Sequence, residues 1–399
     1  MTKIKGGVLV YVVVMSLVVF LVIGLMLSRD YQEYSRLDLV VERDWIRDQV
    51  RSVVVILEKE PEILDTMRTI LPGLPVRARI YREKWGLLEL VTVDSSTPRL
   101  QDTTVLSCME VLAIYDSTAL YLAGNLNYLS IAGDTELRGI CYLPSLGIRR
   151  GYVQGQGYYK DTLVYGEIRL SADTLPRLAS RHVIDFDEWY SFQESFDVEE
   201  NMNCSFKEKE VVCYSRFSMV LEDNVLKGKI KLISEEKITV RAGCKITDCI
   251  LVAPNIEIEK GFSGRLQLFA SEKIKLDTGV FLTFPSVVYL RSPDRTTLQV
   301  CQKANVTGSV IVVGSREALC LMERDAVIQG QLYNEGCTQL EGEIDGSIYT
   351  GKLRFYNEWG QHEDIILGGK VDRFGIPAER PAWNLFEEDS KRIVINMLE

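Results

Sequence analysis

The first apolar pattern in the chain is a block, not a period. From Gly6 to Ser28 no residue is charged and eight are Val; Lys3 and Lys5 precede the run, Arg29 and Asp30 end it. As a helix, residues 7–28 would span about 33 Å, enough for a hydrocarbon core of about 30 Å. The run exceeds the apolar stretch of a cleaved signal peptide, about 7–15 residues, and Leu25-Met26-Leu27-Ser28 offers no small-residue cleavage pattern. The expectation is an uncleaved transmembrane helix behind a short tail, residues 1–6. In residues 29–60 the pattern becomes periodic. Leu37, Val41, Trp45, Val50, Val53, Val54 and Leu57 recur at near-helical spacing among charges. They predict an amphipathic helix continuing the first, with Pro61 as its stop.

Beyond residue 75 short alternating runs lie between Gly, Asp, Asn and Pro: Leu87–Thr92, Ala119–Leu122, Tyr128–Ile131 and Val164–Leu170. These predict strands and turns. Residues 61–185 form a β-rich region for which solenoid coils and an antiparallel sandwich both remain open. Residues 186–235, rich at first in acids and aromatics, are expected to be a connector.

Residues 236–290 carry the strongest signal. Ile238-Thr-Val-Arg-Ala-Gly243, Ile256-Glu-Ile-Glu-Lys-Gly261 and Ile274-Lys-Leu-Asp-Thr-Gly279 align at a spacing of 18. A period of six runs beneath it, through Ile238, Cys244, Ile250, Ile256, Phe262, Leu268, Ile274 and Val280. Two residues after each come Val240, Ile246, Val252, Ile258, Gly264, Ala270, Leu276 and Leu282. Residues i and i+2 of a strand share a face. A pair every six residues therefore means short strand, corner, short strand, and three sides close a triangular coil of about 18 residues. Gly243, Gly261 and Gly279 fall at one repeated corner, where a positive φ suits glycine. Val306-Thr-Gly-Ser-Val310, Ile328-Gln-Gly-Gln-Leu332 and Ile344-Asp-Gly-Ser-Ile348 extend the pattern, and Leu137-Arg-Gly-Ile-Cys141 and Val164-Tyr-Gly-Glu-Ile168 resemble it earlier. The expected fold class is mainly β: a transmembrane helix continuing into an amphipathic helix, then a triangular parallel β-solenoid over 236–352. Residues 353–399 would cap its open edge.

The triangular coil with its glycine corner, from Ile238 to Leu282 and more loosely to Ile348, resembles the bactofilins, bacterial polymer-forming β-helix proteins. That resemblance implies self-assembly. Lys3-Ile4-Lys5-Gly6 ahead of a long apolar helix that turns amphipathic is similar to type IV prepilins and pseudopilins. It implies processing after Gly6 and insertion into a pilus or secretion assembly. Tyr11 and Gly7 depart from the residues most pilins carry at those places.

Charge narrows the partners. The net charge is −10, and without the two tail lysines the remainder carries −12, from −10 minus 2. An acidic body suits neither phosphate backbones nor anionic lipid surfaces, so no nucleic acid partner is expected. The basic tail places the N-terminus in the cytoplasm and the body outside, periplasmic in a bacterium. The nine cysteines include no C-x-x-C pair. Cys204 with Cys213, and Cys244 with Cys249, would suit disulfides in an oxidising compartment; buried free thiols are the alternative.

Candidate chemistry is sparse. His182 lies in Arg181-His-Val-Ile-Asp-Phe-Asp-Glu188, where Asp185 and Asp187 would share a strand face; a solvated acidic loop is the plainer reading. His362 beside Glu363 and Asp364 suits an exposed turn. Gly151-Tyr-Val-Gln-Gly-Gln-Gly157 matches neither G-x-G-x-x-G nor the P-loop, and suits a turn between strands. Outward positions such as Lys237, Arg241, Glu257, Glu259, Lys275 and Asp277 mix both signs, as a solvated face does. No catalytic, cofactor-binding or metal-binding residue and no cofactor is assigned. The sequence leads to a non-enzymatic, membrane-anchored structural or interaction protein of the bacterial envelope, whose partners are the lipid bilayer and a protein or a second copy of itself. A pilin-like accessory subunit and a membrane-tethered carbohydrate-active β-helix enzyme are the alternatives.

Overall fold

The computed structural model describes residues 6–59, 76–112, 117–124, 127–185, 187–191, 195–358, 360–376, 383–386 and 390–398. It has the expected mainly β architecture, an N-terminal apolar helix followed by a parallel β-solenoid of about 11 turns. The chain forms two compact units, residues 1–82 with 91–106, and residues 83–90 with 107–399.

In the first unit one helix, α1 (Gly6–Lys59), joins both predicted segments without a break. Residues 1–5 of the expected tail and Pro61 lie outside the described residues, and Gly6 already belongs to the helix. Every large apolar side chain from Leu9 to Leu27 is exposed. Further along, Glu42, Ile46, Gln49, Val50, Val53 and Leu57 make a buried stripe at helical spacing. The stripe is rotated from the predicted one: Leu37 and Val41 are exposed, while Glu42 and Gln49 are enclosed. Polar partners account for part of that rotation. Thr97 Oγ1 donates to Glu42 Oε2 at 2.6 Å, and Arg99 Nη1 pairs with Asp38 Oδ2 at 2.9 Å. Ala78, Ile80, Val91, Val93 and Val105 supply the buried strand positions of this unit.

Four strands, β1 (Arg77–Trp85), β2 (Leu88–Ser96), β3 (Gln101–Leu112) and β4 (Ser390–Leu398), form one sheet in the order β1-β2-β3-β4. The whole of 113–389 therefore lies between two neighbouring strands of a sheet. The expected cap at 353–399 is corrected accordingly. Its last strand joins this sheet, and Lys370–Asp372 is a rung of the solenoid.

The solenoid runs in parallel register. Met219, Ile238, Ile256, Ile274, Leu298 and Cys320 sit on one another in successive coils. Their spacing is 18 only across the three predicted coils; insertions at the corners lengthen the next two. A second buried column holds Leu232, Leu251, Leu268, Val288, Val310, Leu332 and Ile348. It continues into Leu120 and then Cys141. Each such Ile or Leu, removed from water, contributes about 1.5–3 kcal/mol.

That continuation reverses the expected order. Strand Glu343–Asn357 pairs with Thr118–Leu122, and Lys370–Asp372 pairs with Glu136–Arg138. The early segment 118–170 thus stacks on the late coils. The open choice for residues 61–185 resolves by segment: 77–112 is sheet, 118–170 is solenoid. The predicted connector at 186–235 is corrected too. Asn201–Cys204, Val211–Ser215, Met219–Leu221, Val225–Gly228 and Ile230–Ser234 are all solenoid strands. A 19-residue coil and interspersed acids hide their period. The described residues 171–185, 187–191 and 195–197 belong to the chain's return journey instead.

Corners explain two more departures. Gly261 and Gly279 have positive φ, 80° and 69°, and Lys303 and Asp325 hold the same corner at 59° and 63°. Gly243 does not; a Cβ there would meet Asp223 Oδ1 at 2.1 Å. At Asp248 (φ 64°) a bulge shifts the alternation by one residue. Cys249, Leu251 and Ala253 enter the core, while the predicted Ile250 and Val252 are buried on the outer side. The Val-x-Gly-x-Val type motifs form a different corner. Gly308, Gly330 and Gly346 stack in register, and a Cβ on Gly330 would lie 1.9 Å from the Gly308 carbonyl oxygen.

The β1–β2 turn is bound to a coil of its own unit. Leu87 N–H donates to Gln267 Oε1 at 2.9 Å, and Gln267 Nε2 donates to Trp85 O at 2.8 Å. Trp85 Nε1 donates to Asp248 O at 3.1 Å, and Arg265 grips the Asp248 carboxylate with two bonds of 2.5 and 2.6 Å.

Two stability outcomes follow. Gly330→Ala should cost at least about 3 kcal/mol in denaturant unfolding, against less than about 0.5 kcal/mol for exposed Lys273→Ala. Gln267→Leu, which leaves two buried backbone groups unpaired, should cost about 2–3 kcal/mol in the same assay.

Candidate functional site

An outward strand position in a solenoid meets water unless something covers it. Val252, Phe269, Tyr289, Ile311, Tyr333 and Tyr349 are in register on one outer face, and all are buried. Residues 171–197 supply part of the cover. Tyr333 Oη donates to Pro176 O at 3.0 Å, and Ile184 N–H donates to Tyr289 Oη at 3.2 Å. Trp189 packs edge-on to Phe269 with centroids 4.6 Å apart, and Phe196 bridges to Cys213. The strap thus passes the coils in reverse order. Past Tyr349 the aromatic column continues as a stack through Tyr121 and Tyr142, with centroid separations of 5.9 and 5.3 Å.

The His182 segment belongs to this strap. His182 is buried, with Nε2 2.8 Å from Asn384 O. Ala179 N–H donates to Leu385 O at 2.9 Å, and Arg181 Nη2 donates to Phe386 O at 3.1 Å. The histidine ties two outer segments together. Asp185 shares the strap; the Asp187 side chain lies outside what is described. Among the described residues, no three His, Cys, Asp or Glu side chains gather as a metal site. His362 lies exposed on a hairpin opposite Phe355. Gly151–Gly157 is a two-residue hairpin turning at Gln154 and Gly155, both at positive φ.

The nine cysteines are free. The disulfide alternative for Cys204–Cys213 and Cys244–Cys249 therefore gives way to buried thiols. Burial pushes the Cys213, Cys301 and Cys337 thiols up to about 11 and Cys141 and Cys320 up to about 12. Protonated thiols in a packed core neither attack nor bind metal readily.

On the outer face the mixed charges pair from coil to coil. Lys237 Nζ and Lys275 Nζ reach the two oxygens of Glu257 at 2.7 and 3.1 Å. The bond from Lys237, then that from Lys275, holds the Glu257 carboxyl below its ordinary range. That stabilisation is present above the unfolded carboxyl's range and is lost as pH falls through the depressed value.

A groove of about 1030 Å³ lies between the strap and the coil corners. Arg177 and Leu178 of the strap form one wall; Arg295, Arg316, Lys352 and Arg354 come from the coils. Asp173, Glu317, Glu335, Glu363 and Asp364 share it. Burial raises the Asp364 carboxyl, against an opposing hydrogen bond of 2.7 Å from Asn127. Sequence reasoning missed this groove, because its residues come from corners whose lengths vary and from a strap that no period marks.

No family model and no curated protein matches the chain. Among solved structures, the competence-associated pilin ComZ from Thermus thermophilus is similar over 84% of this chain and 87% of that one, at 10% identity and a TM-score of 0.22. A superposition this loose leaves functional reading to the chain's own geometry.

At pH 8 a thiol reagent should modify the native protein at half-buried Cys337 at most, and all nine thiols after denaturation. Rapid native labelling of several thiols contradicts the packing described.

Proposed function

We propose that this chain is a non-enzymatic, membrane-anchored structural or interaction protein of the bacterial cell envelope. The stretch Leu9–Leu27 carries the reading: it is helical, uncharged, and exposes all its large apolar side chains. An apolar surface of that length calls for lipid or neighbouring helices around it. The N-terminus is cytoplasmic and the body extracytoplasmic. The body presents a rigid column to a protein partner or a second copy. Buried protonated thiols, a structural His182 and outer-face charges that pair with one another support a role without catalysis.

A second reading is favoured by one observation. A single helix passes from a fully exposed apolar half to a half with one buried stripe, in a unit that also holds sheet strands. That arrangement suits a pilin-like accessory subunit whose first half inserts into an assembly of helices.

Full-length protein should remain in the membrane fraction after alkaline carbonate, and added protease should digest the body in spheroplasts. Val14→Arg with Leu21→Arg should release it, each charge costing about 2.5–3.5 kcal/mol at a helix centre. Carbonate release of the unaltered chain, or a body protected in spheroplasts, contradicts the reading. An N-terminus beginning at Gly7 would favour the pilin-like subunit; an intact one would exclude processing.

A further inference from the structure

Several cations elsewhere on the column are matched by acids: Lys237 and Lys275 with Glu257, Arg265 with Asp248, Arg241 with Glu222. The groove between the strap and the coil corners instead gathers several cations around one cavity. Arg177, Arg295, Arg316, Lys352 and Arg354 line it, and none has an ion-pair partner among the described residues. Arg354 Nε is enclosed there without a hydrogen-bond partner. Unpaired guanidinium groups held around a cavity, one with its Nε already shielded from water, are arranged for an anion.

Their placement selects the shape of that anion. Arg295 follows strand Phe281–Arg291, Arg316 follows Asn305–Val313, and Lys352 and Arg354 lie on Glu343–Asn357, two coils further on. With coils about 4.8 Å apart, these charges spread over roughly 14 Å along the axis. A single small anion would engage one rung of such a ladder; an extended polymer engages them all. The acids in the same groove select its chemistry. Asp173, Glu317, Glu335 and Glu363 disfavour a duplex phosphate backbone, with one negative charge per about 1.7 Å of axis, more than a polymer with one carboxylate per sugar. They are suitable acceptors for hydroxyl groups, while the guanidinium groups take carboxylates by paired hydrogen bonds.

We propose that this groove binds an acidic polysaccharide, a hydroxyl-rich polymer whose charges are carboxylates. The strap forms the second wall, held by the bond from Tyr333 Oη to Pro176 O, and Glu335 is fixed by accepting Gly314 N–H at 2.7 Å. The inference rests on the column being an interaction body and is independent of anchoring, since the fractionation assay reads membrane partition and no ligand.

The test is binding of polygalacturonate to the full chain in detergent micelles, with dextran and double-stranded DNA as comparison polymers. Saturable binding of polygalacturonate, weakening as salt rises, is expected, with none for dextran. Arg295→Gln with Arg316→Gln, both exposed positions, should weaken it about tenfold or more. Arg295→Lys with Arg316→Lys should retain most of it, and Lys245→Gln with Lys273→Gln, elsewhere on the column, should leave it unchanged. Equal affinity for dextran, tighter binding of DNA, salt-independent binding, or an unaltered affinity in the glutamine double variant would each overturn the proposal.

Discussion

Everything in the larger unit depends on parallel coil-on-coil pairing. Within the stack each strand pairs with strands in neighbouring coils, so its backbone N–H and C=O groups find partners away from water. The same register places Ile on Ile and Leu on Leu, so one constraint sets both hydrogen bonding and core packing. It also sets the tolerance at corners. Where two coils approach as closely as Gly308, Gly330 and Gly346 do, no side chain fits between a Cα and the carbonyl below. At the looser corner of Gly261 and Gly279 only the sign of φ matters, and Lys303 and Asp325 can take the place.

The second organising feature is a face that cannot stand in water. A solenoid with Phe269, Tyr289, Ile311, Tyr333 and Tyr349 pointing outward would expose a long apolar band. The route of the chain covers it. Because residues 118–170 stack beyond the late coils, the chain must travel back before beginning the coil at residue 201. The returning strap lies on the band as it goes, and Pro176 against Tyr333, Ile184 against Tyr289 and Trp189 against Phe269 are points of attachment. Along one stretch the strap leaves the groove, where cations from the corners face it.

How much of this was legible follows from which constraints are local. The helix was, because an uncharged apolar run reports its environment directly. So were the coils at 236–290, where no insertion disturbs the six-residue beat. The beat misplaced Ile250 and Val252, since a bulge at Asp248 shifts every later side chain in that strand by one face. Strands 201–234 were read as a connector, since a 19-residue coil and a scatter of acids mask the pairs Met219/Leu221 and Ile230/Leu232. The stacking of 118–170 on the late coils left no mark in one sequence: pairing order is a long-range property. The tyrosines at 289, 333 and 349 were visible as residues, but their alignment as a covered column appears only when coils of unequal length are set in register. For the same reason the groove was illegible, while the plain readings of His362 and Gly151–Gly157 needed only local patterns; His182, expected in a solvated loop, is instead buried against Asn384 O.

The account's central claim is therefore the reversed coil order, and a cross-link tests it most directly. Lys370 and Glu136 are registered neighbours on adjacent parallel strands. At the roughly 4.8 Å separation of such strands, cysteines at both positions lie within disulfide range. Oxidation of Lys370→Cys with Glu136→Cys in the full chain should give one intramolecular disulfide, located by peptide mass. Failure of that pair to close, together with closure of Arg169→Cys on Asn203→Cys as sequence-ordered coils would require, would contradict the fold described.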